Sequence, residues 1–516
     1  MNLAGLIFLL VTHFLTGKGV IRLFGLKLEL VATLCFSMLC GVFIASVVPC
    51  VMQLADIPLT AKNACFCLSS TTIIFSIPLL VNIRSTKMPK IAFPELYEIP
   101  FFVVFLFIAA TSVWRCFYLP VTPRDMLTGP ELIAEFAVRE RTMISSIYHI
   151  DLRMHPDSAN NIFKSPFITG LQIIYKLLVH PFGAQWLSVV FLSFTLWFYT
   201  VIRACIHPFL ACVLMLVYMS IPDLFAYTYL VLYDYSNMVF FFAGVYFLTQ
   251  YLETRRMNTL LWSTFLLGIA TYIRTETLII VALGMPVLAL YLFQEKTSLK
   301  TIALAVGLCI AMPLFFNFLY ATVFIKHLVP IHYDLSRLIN NPFNFSFFFE
   351  KLRDIAAKLM FASWTRNVYA FFFFIFSGIL IIDIIWPGKF NKDACIALVS
   401  IAIVYVGLAV VAYLIKSTTI ENTIKRGLFK LLPLMVWYLA NSGILQKLSD
   451  LLKSGELALA AKGDLSLSLT GNHVAVSSPP RTEDEPDQSK VGRDVATVDE
   501  HIPPGSLFKE TNDDKY

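Results

Sequence analysis

Continuous apolar runs of about 20 residues recur along this chain from Leu3 to Leu445, and a run of that length is what an α-helix needs to cross the hydrocarbon core of a bilayer. Inside lipid every backbone amide must be satisfied within the protein, so only helices and closed barrels span it. The runs are unbroken rather than alternating, which excludes a barrel. Charged residues make up 14% of the chain, against about 25% in soluble domains. The expected fold is an all-α polytopic membrane protein.

The apolar segments fall near 3–17, 31–53, 63–82, 99–118, 185–205, 208–221, 236–251, 259–274, 277–294, 300–325, 367–386, 395–416 and 428–445, about thirteen in all. The first is short, but it lacks a basic leader and a small-residue cleavage site, so it reads as a membrane segment and not a signal peptide. Basic residues cluster in alternate loops: Lys18, Arg22 and Lys27; Arg84, Lys87 and Lys90; Arg255 and Arg256; Lys296 and Lys300; Lys389 and Lys392. The positive-inside rule makes those loops cytoplasmic. Two long loops, 119–184 and 326–366, then lie outside, as do Asp223–Asp234, the Arg274-Thr-Glu276 turn and Lys416–Arg426. Membrane helices thus occupy 1–98, 99–294 and 295–447.

A tail over 462–516 carries about 6 basic and 11 acidic residues and few apolar ones, a composition that stays disordered; the topology puts it in the cytoplasm. With a total formal charge of +6, the remainder is near +11. That balance suits lipid headgroups or phosphate-bearing substrates, and no nucleic-acid motif is present. Most of the 10 cysteines lie inside apolar runs, so neither a disulfide framework nor a zinc site is expected. His149, Asp151, His155 and Asp157 cluster in the first loop but fit no named metal motif. The reading therefore requires no cofactor, and a divalent ion at that cluster is the one addition the residues suggest.

The first loop also has legible helix signals. In Thr128-Gly-Pro-Glu131, Thr128 is placed to cap, Pro130 to occupy the first helical position and Glu131 to complete a capping box. Leu132, Ile133, Phe136, Ala137, Met143, Ile144 and Ile147 then form an apolar stripe against Glu135, Arg139, Glu140 and Arg141, the pattern of an amphipathic helix on the membrane surface. Phe163–Tyr175 reads as a second interfacial helix. No internal repeat or matched pair of broken helices marks a transporter.

A succession of features carries a resemblance. The external loop follows a membrane helix and has an acidic residue near its start. Lys164-Ser165-Pro166 stands where a Lys-Pro-Pro is usual. A Phe182-Gly183 pair and a helix ending in Arg203 follow, then Leu232-Tyr-Asp-Tyr-Ser236, then Gly268-Ile-Ala-Thr-Tyr-Ile-Arg-Thr-Glu276 as a G-x-A-x-x-x-R-x-E pattern, and finally Lys425-Arg426 before Pro433. In order and placement this set resembles the GT-C glycosyltransferases, nearest the branch of aminoarabinose transferases and protein O-mannosyltransferases. The likeness covers 99–290, which makes 99–294 a GT-C-like core; beyond 300 it rests on helix layout. Where such enzymes often carry Asp-Glu at the loop helix, this chain has Asp125 and Glu131, and the helices before 99 are additional.

The resemblance implies an inverting glycosyltransferase that takes a sugar from a polyprenyl-phosphate donor to a lipid, glycan or protein acceptor on the extracytoplasmic face of a multi-pass membrane protein, with a bacterial inner membrane as the expected location. It makes Asp125 or Glu131 the base and gives Asp234 an orienting or assisting part. Lys164, Arg274, Glu276 and Arg426 become substrate-binding residues, the cations facing the departing phosphate. Each also has a structural reading: Asp125 as a solvated loop residue, Glu131 and Asp234 as helix caps, Arg274 with Glu276 as an ion pair, Lys164 and Arg426 as interfacial anchors. A transporter or flippase for a lipid-linked or anionic substrate is the alternative, and a non-catalytic scaffold a third reading.

Overall fold

The computed structural model describes residues 2–80, 95–149, 164–328, 344–361, 369–386, 391–414 and 424–469, and every element in them is helical. In chain order these are α1 (Leu3–Leu23), α2 (Leu30–Leu54), α3 (Ala61–Leu80), α4 (Ile99–Tyr118), α5 (Arg124–Leu127), α6 (Pro130–Glu140) and α7 (Pro166–Leu178). They continue with α8 (Gln185–Cys205), α9 (Pro208–Met219), α10 (Pro222–Tyr227), α11 (Tyr233–Thr254), α12 (Met257–Ile273), α13 (Glu276–Gln294) and α14 (Leu299–Phe318). The last are α15 (Phe345–Asp354), α16 (Phe372–Ile385), α17 (Lys392–Leu414), α18 (Lys425–Asn441) and α19 (Gly443–Leu469).

Each apolar segment expected from the sequence overlaps one of these helices within the described residues. Among the described residues, seven helices are long and apolar enough to cross a membrane, or eight if the pair α18 and α19, bent by 52°, counts as one; α7, α9, α12 and α16 are shorter apolar helices. The chain is a helical membrane protein. Met1–Glu456 form one compact unit. Residues 470–516, most of the expected tail, lie outside the described residues, and α19 extends to Leu469.

Lipid supplies no hydrophobic force to pull helices together, so close approach of backbones at small residues matters more than it does in water. The first three helices use that device. Gly17 of α1 lies directly against the Ser37 backbone of α2, Gly41 of α2 against the His13 backbone, and Gly19 of α1 against Phe75 of α3. His13 is buried there and bonds the Tyr175 hydroxyl of α7 at 3.0 Å, while Thr16 and Thr72 bond across α1 and α3 at 3.0 Å. Phe36 of α2 meets Trp197 of α8 (4.8 Å), Phe247 of α11 (5.2 Å) and Trp262 of α12 (5.9 Å) edge-on, a favoured geometry for aromatic pairs. These contacts tie the amino-terminal helices into the bundle. Gly17→Val and Gly41→Val are each expected to cost about 1–3 kcal/mol through overpacking, read as a lower thermal midpoint in detergent. Gly307→Ala, where an added methyl group meets open space, is expected to leave the midpoint unchanged or raised.

Two expectations need correction. The stripe from Leu132 to Ile147 is not one helix: α6 stops at Glu140, Arg141 takes a left-handed conformation (φ 60°), and Met143 and Ile147 are buried beyond the turn. The α7 segment does not expose a face at an interface either. Nearly all of it is buried, packed against α2 and α6, because its non-apolar positions Thr169, Gly170 and Gln172 are small or find partners inside.

Candidate functional site

Helix direction gathers the polar residues. Asp125 lies in α5, just past the end of α4; Lys164 precedes α7; Asp234 is in the first turn of α11; Arg274 and Glu276 form the α12–α13 turn; Arg426 opens α18. Antiparallel succession places all of these at one end of the bundle. The local signals are simple. Pro123 precedes α5, Ser165 caps α7 by accepting the Phe167 amide (3.3 Å) with Pro166 in the first turn, and Arg274 ends α12 in an extended conformation.

Three linked groups of charges result. In the first, Asp125 Oδ2 receives Arg426 Nη1 at 2.5 Å and Lys164 Nζ at 3.4 Å, whereas Oδ1 has no partner among the described residues. The second runs through four charged side chains: Asp234 pairs with Arg274, whose Nε lies 2.6 Å from Glu276 Oε1, and Lys430 Nζ approaches the same oxygen at 3.8 Å. Asp234 and Lys430 are each only 2% exposed. The third is Lys425 with Asp223, at 3.0 Å. The groups sense one another: Lys164 lies within electrostatic reach of Arg274 and Arg426, and Arg426 within reach of Asp234. The second and third groups balance, while the first holds two cations on one carboxylate.

Burial opposes ionisation of Asp125, but Lys164 and Arg426 outweigh it and hold the carboxyl below its ordinary 3.8. Burial, helped by repulsion from Arg274 and Arg426, pulls the Lys164 ammonium below its usual value against the pull of Asp125. Tyr233 donates to the Ser165 carbonyl at 2.7 Å and so fixes the Lys164 segment to α11. Asn237, one turn below Asp234, donates to the Ala270 carbonyl (2.6 Å) and to Thr277 (3.0 Å), bracing the α12–α13 turn.

Six of the seven residues expected at a site therefore meet: Asp125, Lys164, Asp234, Arg274, Glu276 and Arg426. Glu131 does not join them. It faces α7, where Lys176 Nζ lies 2.7 Å and Gln172 Nε2 2.8 Å away. Burial raises its carboxyl above the ordinary 4.5 despite those partners. Nor does Glu131 close a capping box: Gly129 is the cap residue and makes no side-chain bond, and the carboxylate instead pairs with the nearly buried Lys176 ammonium, a charge-assisted contact stronger than one to a neutral amide.

Sequence reasoning missed Lys430 and Tyr227. Lys430 follows Arg426 by four residues, which on a helix puts both on one face, and that spacing inside an apolar run was the available signal. Tyr227 of α10 packs on Phe429 at 4.4 Å between ring centres and lies within reach of Asp234, Asp223, Arg426 and Arg274; no local pattern announces it. Asp151, His155 and Asp157 fall outside the described residues, as does the side chain of His149. Among the described residues no group of three or more His, Cys, Asp and Glu is arranged to hold a metal. No family model, no curated protein and no solved structure matches this chain.

Proposed function

We propose that the Asp125 cluster is the active site of an inverting membrane glycosyltransferase, which moves a sugar from a polyprenyl-phosphate donor to a lipid, glycan or protein hydroxyl or amine. The observation that carries the reading is the divided use of one carboxylate: Lys164 and Arg426 both hold Oδ2 of Asp125, and no described residue pairs with Oδ1. In the reaction the acceptor oxygen or nitrogen attacks the anomeric carbon, Oδ1 takes its proton, and the bond to the phosphate oxygen breaks with its electron pair. Negative charge then grows on the leaving phosphate, which is where fixed cations lower a barrier most. Lys164, Arg426 and Arg274 meet that charge, guanidinium being suited to two phosphate oxygens at once. Asp234 and Glu276 hold Arg274 in place. Basic residues at the opposite end, among them Arg22, Lys27, Arg255 and Lys296, support an extracytoplasmic site by the positive-inside rule, and the style of the loops supports a bacterial inner membrane. Each of the thirteen apolar segments read from the sequence then acts as a crossing.

A transporter would concentrate charges or helix breaks at the membrane midplane. The break between α18 and α19 follows 17 residues of helix from Lys425 to Asn441, or about 25 Å of rise, which puts it near the far boundary. There Asp383 accepts from Tyr438 (2.9 Å) and from the Ile444 amide (3.1 Å), contacts that hold the 52° bend.

Activity supplies a direct test of which carboxylate is the base. With Asp125 in that role, the acidic limb of kcat/KM falls below pH 3.8, since a lowered group keeps its charge to lower pH. With Glu131 the limb would lie above 4.5. A pH profile of released polyprenyl phosphate in nanodiscs separates the two.

A further inference from the structure

A cavity lies at the end of the bundle opposite Asp125. It has a volume of about 790 Å³ and is walled by the α1–α2 connection, the last turns of α8 and α11, and the start of α12. Volumes of roughly 300–1,000 Å³ are typical of small-molecule sites. Its floor is aromatic, with Trp197 and Phe247 nearly parallel at 6.3 Å. Its rim carries Lys27, Arg256, Gln250 and Asn258 as donors and Glu29 as the single acid among the described lining residues. Neither Lys27 nor Arg256 enters an ion pair among the described residues, whereas the adjacent Arg255 pairs with Glu295 at 3.8 Å. The connection is built rather than slack. Gly25 is left-handed (φ 64°), and any side chain there would meet the Asn258 amide nitrogen at 2.8 Å. Phe24 beside it wedges against Trp262 and Phe265 at 5.3 and 5.1 Å.

We infer that this cavity is a binding site for a phosphate-bearing ligand, distinct from the Asp125 cluster. Two uncommitted cations and two side-chain amides are the donors a phosphate wants. One opposing carboxylate leaves a net charge of +1, which matches a phosphodiester. The aromatic floor takes the apolar part of the same molecule. The cavity lies where the helices end, at the level where anionic headgroups collect, so the phosphate comes either from a membrane lipid or from a soluble ester.

The test uses the full chain in nanodiscs. Phosphatidylglycerol and phosphatidylcholine are offered in equal amounts and retained lipid is read by native mass spectrometry; glycerol 3-phosphate is titrated by calorimetry in phosphatidylcholine discs. Retention of phosphatidylglycerol about tenfold over phosphatidylcholine identifies a lipid ligand, and binding of glycerol 3-phosphate a soluble one. Either signal falls about tenfold in Lys27→Gln/Arg256→Gln, whose positions are exposed, and rises in Glu29→Gln. Lys296→Gln/Lys300→Gln, which removes two charges from the same end but not from the cavity, leaves it unchanged. Absence of both signals overturns the site, as does an equal loss in the two double variants.

Discussion

Asp125→Asn is expected to lower the release of polyprenyl phosphate by about 10²–10⁴-fold, the usual worth of a positioned general base, while Glu131→Gln stays within a few fold of the parent. The contrast follows from what each carboxylate touches. An amide at 125 keeps the shape of the side chain but cannot accept the acceptor's proton, and it leaves Lys164 and Arg426 facing each other with no negative charge between them. Glu131 is engaged with Lys176 and Gln172, so its loss disturbs the α6–α7 contact and not the reaction. The readout is mass spectrometry of the released carrier lipid from protein in nanodiscs given a panel of polyprenyl-phosphate sugars. Full release by Asp125→Asn would remove the base from its role and with it the proposed mechanism.

The second large effect is structural. Arg274 stands between two enclosed carboxylates, Asp234 and Glu276, and deleting one partner of a buried ion pair leaves a charge with nothing to offset its lost hydration. Such deletions cost about 3–5 kcal/mol. Arg274→Leu is expected to lose that much, seen as a large fall in thermal midpoint and poor recovery from detergent. Asp234→Asn added to Arg274→Leu removes one of the stranded charges and should restore part of the loss. A single variant as stable as the parent would show that the pair is solvated and loosely held.

The contrast between Glu131 and Arg274 also shows what the sequence makes readable. Helix positions come through because continuous apolar runs leave the backbone no alternative in lipid, and Pro130 and Pro166 mark two starts in the first loop. Asp234, Arg274 and Glu276 were legible because charge at a membrane boundary is costly and stands out against an apolar background. The sequence favours Asp125 but leaves Glu131 as its competitor, because both sit near the start of the same loop; the rotation of α6 toward Lys176 separates them, and that is set by α7 about forty residues later. Tyr227 and Lys430 enter through packing of α10 and α18, which no short window of sequence contains. Gly17 and Gly41 gave no hint of the α1–α2 contact, since a glycine in an apolar run reads the same whether it faces lipid or a neighbouring backbone.

The pair between Asp125 and Arg426 joins residues 301 positions apart. At about 5–20 residues per second of synthesis, roughly 15–60 s pass between the emergence of the first and that of the second. Through that interval Asp125 and Lys164 are already made while the partner that completes them is not. A chain cut short before α18 would therefore carry most of its helices yet have no assembled centre, so the cluster doubles as a timing mark: its ion pair forms only when synthesis of the bundle is nearly finished.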